Sequence, residues 1–140
     1  MNRTATAQWN GTGKEGSGNL STQSSVLSNI AYTHASRFVD ENTNGKTNPE
    51  ELIAAAHAGC FSMKLAFVLN AKQFTADSIK TTCEITLADG TISKSHLTVS
   101  AKVPGISKEA FDECVDEAKT NCPVSKLLKA EITVDASLNS

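Results

Sequence analysis

Four cysteines, Cys60, Cys83, Cys114 and Cys122, are the side chains of this 140-residue chain best suited to covalent chemistry. A thiolate is a nucleophile that can pass through sulfenic acid and disulfide states, so the question is which thiols are activated. Cys83 shares an alternating face with Ile79, Thr81, Ile85 and Leu87. Cys114 shares a helically spaced stripe with Phe111, Val115 and Ala118. Both read as small core side chains. Cys60 lies inside a long apolar run, where burial as packing is the favoured reading of the residues alone. Cys122 differs, because Pro123 follows it and starts a short helix. Free backbone N–H groups and the positive end of the helix dipole at such a position favour thiolate, and a buried helix cap is the alternative.

Two charged residues could tune a thiol. A guanidinium beside sulfur stabilises thiolate, and a carboxylate can hold the guanidinium through paired hydrogen bonds. Arg37 lies between Ser36 and Phe38 at the end of an expected strand, and Glu50 falls in the first turn of a helix. Dipole stabilisation alone, about 0.3–1 kcal/mol, would account for Glu50, and a solvated strand position for Arg37. Ten residues separate Glu50 from Cys60, roughly 15 Å along a straight helix. A joint role at Cys60 therefore needs a broken helix, or one chain contributing residues to another chain's site. His57 and Lys64 flank Cys60 at positions that share its helix face. Neither an orienting third residue nor an oxyanion turn accompanies the Cys–His pair, which disfavours hydrolase chemistry. Cys-x-x-Cys and His-x-x-x-His spacings are absent, so no metal is expected and protein disulfide exchange is disfavoured.

The element that must mount Cys60 begins at Asn48-Pro49-Glu50-Glu51. Asn48 can cap, Pro49 fits the first helical position, and the two acids suit the positive end of the dipole. Asn48 and Glu51 have capping-box spacing. The run 52–69 is apolar nearly all round, which predicts burial on most faces. Its length is marginal for a membrane span and it carries His57 and Lys64, so no membrane is expected. Before it, strands are expected over 4–9, 19–26 and 31–39, with a glycine-rich turn between the first two and a loop over 40–46. After it, 78–87 and 97–103 alternate as strands around the hairpin signal Asp89-Gly90. Ser107 caps a helix, Pro123 starts a short one, and 131–138 alternates again. This order predicts one α+β domain over 1–140, with N-terminal strands in 1–46, a long buried central helix and an antiparallel sheet in 47–140. An all-round apolar helix in so small a domain needs more cover than one sheet gives, which predicts a homodimer.

A formal net charge of −2 leaves no basic footprint for nucleic acid. The first residues hold no apolar run of signal-peptide length, so a cytoplasmic chain with reduced cysteines is expected.

The segments Thr47-Asn48-Pro49-Glu50-Glu51-Leu52-Ile53-Ala54-Ala55-Ala56-His57-Ala58-Gly59-Cys60-Phe61-Ser62-Met63 and Cys122-Pro123-Val124-Ser125-Lys126-Leu127-Leu128-Lys129-Ala130-Glu131-Ile132 closely resemble the OsmC/Ohr family of thiol peroxidases, nearest its osmotically inducible protein C branch. The resemblance extends to Gln8-Trp9 and Ser36-Arg37-Phe38. It implies an OsmC-like fold and an intertwined homodimer with sites at the interface. Cys60 matches the family's peroxidatic cysteine and Cys122 its resolving cysteine. Arg37 and Glu50 match the pair that supports the thiolate. The implied activity is reduction of organic hydroperoxides, hydrogen peroxide less efficiently, in defence against oxidative or osmotic stress. No cofactor is implied. The implied reductant is an external dithiol, in the Ohr branch a dihydrolipoyl-bearing protein. Cys83 and Cys114 take no role from the resemblance. The competing expectation is a non-catalytic stress-response binding protein with inert core cysteines.

Overall fold

The computed structural model describes residues 1–39 and 43–140. Within the loop expected over 40–46, residues 40–42 lie outside the described residues. The chain divides into two compact units, Met1–Leu52 and Ile53–Ser140.

In the first unit, β1 (Ala5–Asn10), β2 (Ser17–Thr22) and β3 (Ile30–Thr33) form an antiparallel sheet in that order. Gly18 is a necessity of packing here. It pairs with Trp9 on one side and Tyr32 on the other, and a Cβ would fall 2.5 Å from the Tyr32 ring. Those two rings meet with centroids 5.2 Å apart. The strand expected over 19–26 starts and stops earlier. Ser25 and Asn29 have φ of 63° and 55°, and the Leu27 N–H donates to Thr22 Oγ1 at 3.1 Å. A turn therefore occupies residues that their β-tolerant types left ambiguous.

The third strand also stops early, which corrects the setting of Arg37. Helix α1 (His34–Phe38) replaces the second half of the strand expected over 31–39. The cause is a capping box: Thr33 Oγ1 accepts from the Ser36 N–H at 3.1 Å, and Ser36 Oγ accepts from the Thr33 N–H at 2.9 Å. These two reciprocal bonds outweigh the strand preference of the bulky Phe38 and Val39. Arg37 thus sits in the last turn of a short helix.

Helix α2 (Pro49–Ala71) runs unbroken through 23 residues. Asn48 caps it as expected, its Oδ1 accepting from the Glu51 N–H at 2.8 Å. The second half of the expected capping box is absent, because the Glu51 carboxylate accepts from Thr47 Oγ1 instead. By length and composition α2 could cross a membrane. In the second unit its residues His57, Phe61, Leu65, Val68 and Leu69 are buried instead.

The second unit holds β4 (Ser78–Ala88) and β5 (Thr91–Lys102), antiparallel across Asp89-Gly90, whose φ values of 51° and 74° are those of a type I′ turn. After α3 (Lys108–Asn121) and α4 (Pro123–Leu127), β6 (Glu131–Asn139) pairs with β5 in parallel. The expected all-antiparallel sheet is therefore mixed. Two helices fill the connection from β5 to β6, and a crossover of that kind returns the chain parallel. Phe61, Leu65 and Leu69 meet Leu97, Val99 and Phe111 in one core cluster. Burial of α2 is less complete than its composition predicts. Met63 and Phe67 are each 64% exposed, so an apolar stripe of the helix lies uncovered in the single chain.

Candidate active site

The four thiols occupy different settings in the structure. Cys114 is fully buried among the core residues. Cys83 is half-buried, its Sγ 3.2 Å from Ser95 Oγ. Burial pushes both thiols above the ordinary cysteine range, which suits packing rather than nucleophilic chemistry. Cys60, half-buried, packs against the same core that contains the fully buried Cys122, and the Cys122 thiol acts on Cys60 electrostatically. Cys60 lines a small cavity of about 210 Å³ with Met63, Lys64, Phe67, Asn121 and Pro123. Apart from Lys64 and Asn121, the walls around the sulfur are apolar.

The activation expected for Cys122 belongs elsewhere. Cys122 is the N-cap of α4, but its side chain makes no capping bond and it is fully buried. Pro123, at the first helical position, has no N–H to offer. The next amide, that of Val124, lies toward Cys60 and acts to lower its thiol pKa. Burial pushes the Cys60 thiol up, and the Cys122 thiol adds to that push; the Val124 N–H and the Lys64 ammonium act against it, without overcoming it. The net effect of the groups around Cys60 in the second unit is therefore to disfavour its thiolate.

In the first unit, Arg37 and Glu50 form the anticipated pair. Arg37 Nε donates to both Glu50 oxygens at 3.2 Å, and Nη2 donates to Oε1 at 2.7 Å. The carboxylate bond raises the arginine pKa further, so the guanidinium is a permanent charge. Its side chain is 37% exposed while that of Glu50 is 13% exposed. Glu50 thus anchors the fork, and Nη1 makes no hydrogen bond among the described residues. Arg37 lines a cavity of about 250 Å³ with Trp9, Tyr32, His34 and Phe38 among its walls. Because α2 is unbroken, its rise keeps Glu50 and Cys60 of one chain roughly 15 Å apart.

One residue beside Cys60 has a setting that sequence spacing does not reveal. His57 is fully buried, with Nδ1 2.6 Å from Ser95 Oγ and Nε2 2.8 Å from Ser125 Oγ. Its helical spacing from Cys60 placed it near the thiol's face, but nothing local pointed to serines 38 and 68 residues away. The Val124 amide was equally hidden, since a backbone donor leaves no mark in residue type.

The family described as OsmC-like protein matches residues 42–137. Peroxiredoxin OsmC of Escherichia coli (strain K12) is 46% identical over 138 residues, which span 96% of this chain and 94% of that protein. The organic hydroperoxide resistance protein-like protein of Mycoplasma pneumoniae is 31% identical over 67% of this chain and 69% of its own length. In fold, the crystal structure of an OsmC-like protein from Mycoplasma pneumoniae superposes with a TM-score of 0.76 at 17% identity, covering 100% of this chain and 99% of that one. An OsmC-like protein from Vibrio cholerae gives 0.72 at 15% identity, covering 98% and 99%. Near-full-length identity and a shared α+β architecture therefore place this chain in the OsmC-like protein family.

Proposed function

We propose that this protein is a thiol peroxidase that reduces organic hydroperoxides, with Cys60 as nucleophile and Cys122 as resolving thiol. The observation that carries the reading is the pairing of Cys60 with Cys122 at an apolar cavity, with a backbone amide aimed at one sulfur. The family relationship and the 46% identity to a peroxiredoxin support the enzyme class.

The Cys60 thiolate attacks the distal oxygen of ROOH. The O–O bond breaks, the alkoxide leaves and takes a proton as ROH, and Cys60 becomes a sulfenic acid. The Cys122 sulfur then attacks the Cys60 sulfur, and hydroxide is displaced and leaves as water, giving a disulfide. An external dithiol reduces that disulfide by exchange and restores both thiols; a dihydrolipoyl-bearing protein has the required chemistry. No cofactor takes part. The apolar walls around Cys60 suit an alkyl or aryl hydroperoxide better than hydrogen peroxide.

Arg37 supplies the missing charge in this scheme. The exposed apolar stripe at Met63 and Phe67 is covered by a second copy of the chain in a homodimer. The partner's Arg37, held by the partner's Glu50, then reaches the Cys60 sulfur. The reaction belongs to stress defence in the cytoplasm.

Counting thiols before and after one equivalent of cumene hydroperoxide tests the reading. Loss of two thiols per chain, with Cys60 and Cys122 joined in the peptide map, is the expected result. Four thiols surviving would instead establish a binding protein with inert cysteines.

A further inference from the structure

Helix α4 is only five residues long, Pro123–Leu127, and contributes no buried side chain of its own. Yet it presents the Val124 amide to Cys60 and begins at Cys122. Something must hold so short an element to within a fraction of an ångström, because a disulfide forms only between sulfurs that can close to about 2.05 Å. Backbone bonds tie α4 to itself and to the end of α3, through the Cys122 N–H to Ala118 O at 2.8 Å. Its side-chain ties to the rest of the unit are Val124, which packs against the core cluster, and a single polar one, Ser125, whose Oγ lies 2.8 Å from His57 Nε2.

His57 is well placed for that duty. It precedes Cys60 by three residues on the rigid helix α2, on the same face. Ser125 follows Val124 directly and follows Cys122 by three residues. One His57–Ser125 bond therefore fixes α4 against α2 one turn from the reacting sulfur. The other imidazole nitrogen is fixed in turn by Ser95 Oγ on β5, at 2.6 Å, and Ser95 also meets Cys83 Sγ at 3.2 Å. A neutral imidazole has one donor and one acceptor nitrogen, and two hydroxyls satisfy both. Burial favours the neutral ring. The ring is thus locked in orientation from both ends, although it touches neither sulfur of the Cys60–Cys122 pair in any recorded hydrogen bond.

We propose that His57 is a positioning residue for disulfide formation: bridging Ser95 and Ser125, it holds α4 so that Cys122 can displace hydroxide from the Cys60 sulfenic acid. The inference rests on the peroxidase reading above. The step it governs joins the two sulfurs, reduces the sulfenic sulfur at the expense of the Cys122 thiol, and releases one water.

The test separates the two ring nitrogens. A glutamine amide nitrogen occupies nearly the place of imidazole Nε2, and an asparagine amide nitrogen that of Nδ1. His57→Gln should keep the Ser125 bond, and His57→Asn should keep only the Ser95 bond. Quenched-flow trapping with a sulfenic-acid reagent follows the first step, and non-reducing mass spectrometry follows the disulfide. In His57→Asn and Ser125→Ala, disulfide formation should slow about tenfold, the loss expected of one well-made hydrogen bond. Sulfinic acid at Cys60 should accumulate under excess peroxide. His57→Gln should stay near the unaltered protein. A purely structural histidine would not rank the two amides this way. Ser125→Ala, at a half-buried position, is compatible with folding even if the histidine variants are not. An unchanged disulfide rate in that variant would overturn the inference. If the unaltered protein itself forms no Cys60–Cys122 disulfide, the peroxidase reading falls, and the two failures are thereby distinguished.

Discussion

Replacing Arg37 and Cys60 in different chains decides whether the site is shared between subunits. Helix α2 is unbroken from Pro49 to Ala71, so Glu50 and the Cys60 of its own chain stand roughly 15 Å apart along the axis. Arg37 is bound to Glu50 through three hydrogen-bond contacts. An opposite charge brought within about 4–6 Å of an acid lowers its pKa by about 1–3 units. Burial has already raised the Cys60 thiol, so Arg37→Ala should lower the thiolate fraction at neutral pH about 10- to 1000-fold, and the peroxidase rate with it. Its effect on stability should be about 1 kcal/mol or less, since the arginine is more than a third exposed. Cys60→Ser should be inactive outright. Mixing these two inactive proteins after mild dissociation gives about half mixed dimers by chance, under two-fold symmetry. Each mixed dimer holds one site with an intact Cys60 facing an intact partner Arg37, and one site with neither. About a quarter of the unaltered activity should therefore return. With both residues acting in one chain, no site is whole in any combination. A steady-state assay with cumene hydroperoxide and dithiothreitol reads the difference, and no recovery on mixing, with subunit exchange verified, would refute the shared site.

Further predictions concern single positions. Cys122→Ser should still lose one Cys60 thiol to a stoichiometric pulse of hydroperoxide and give a trappable sulfenic acid, but no intrachain disulfide; a bridge from Cys60 to Cys83 or Cys114 in that variant would overturn the resolving assignment. Phe111→Ala removes a fully buried ring from the core cluster and should cost about 3–5 kcal/mol in urea unfolding; a cost below about 1 kcal/mol would contradict its place there. Burial lowers the His57 pKa, so the unfolded chain binds that proton more readily than the folded one. Its contribution to stability is then complete above the unfolded value of about 6.5 and is lost as pH falls below it. Urea midpoints at pH 8 and pH 5 should therefore differ less in His57→Gln than in the unaltered protein, and equal differences would refute the neutral-histidine account.

Much of the machinery was legible before folding, but unevenly. The start of α2 was readable because Asn48, Pro49 and Glu51 act within one turn of each other, and the Asn48 cap formed. The β4–β5 hairpin was readable from strict alternation around Asp89-Gly90. Arg37 was correctly paired with Glu50 yet assigned to the wrong element, because Thr33 and Ser36 make a capping box that outweighs the bulky residues beside it. The parallel pairing of β6 within the expected antiparallel sheet is not legible in the sequence, since alternation gives a strand's faces but not its partner's sense. The burial of α2 was overstated for a single chain, because composition reports what a helix needs covered and not which molecule covers it.

Caps, turns, strand faces and the packing settings of Cys83 and Cys114 follow from residue type and short spacing. Those features depend on groups a few bonds or one helical turn apart, so the sequence alone determines them. Three matters were left to tertiary structure. Packing turned the Val124 amide toward Cys60, although a sequence reading awards the dipole of α4 to Cys122. It brought Ser95 and Ser125 to the two nitrogens of His57 across 38 and 68 residues of chain. It also set Cys60 beside an apolar cavity, where burial raises the thiol. Each depends on where distant segments come to rest, and no local rule of spacing or propensity encodes that placement.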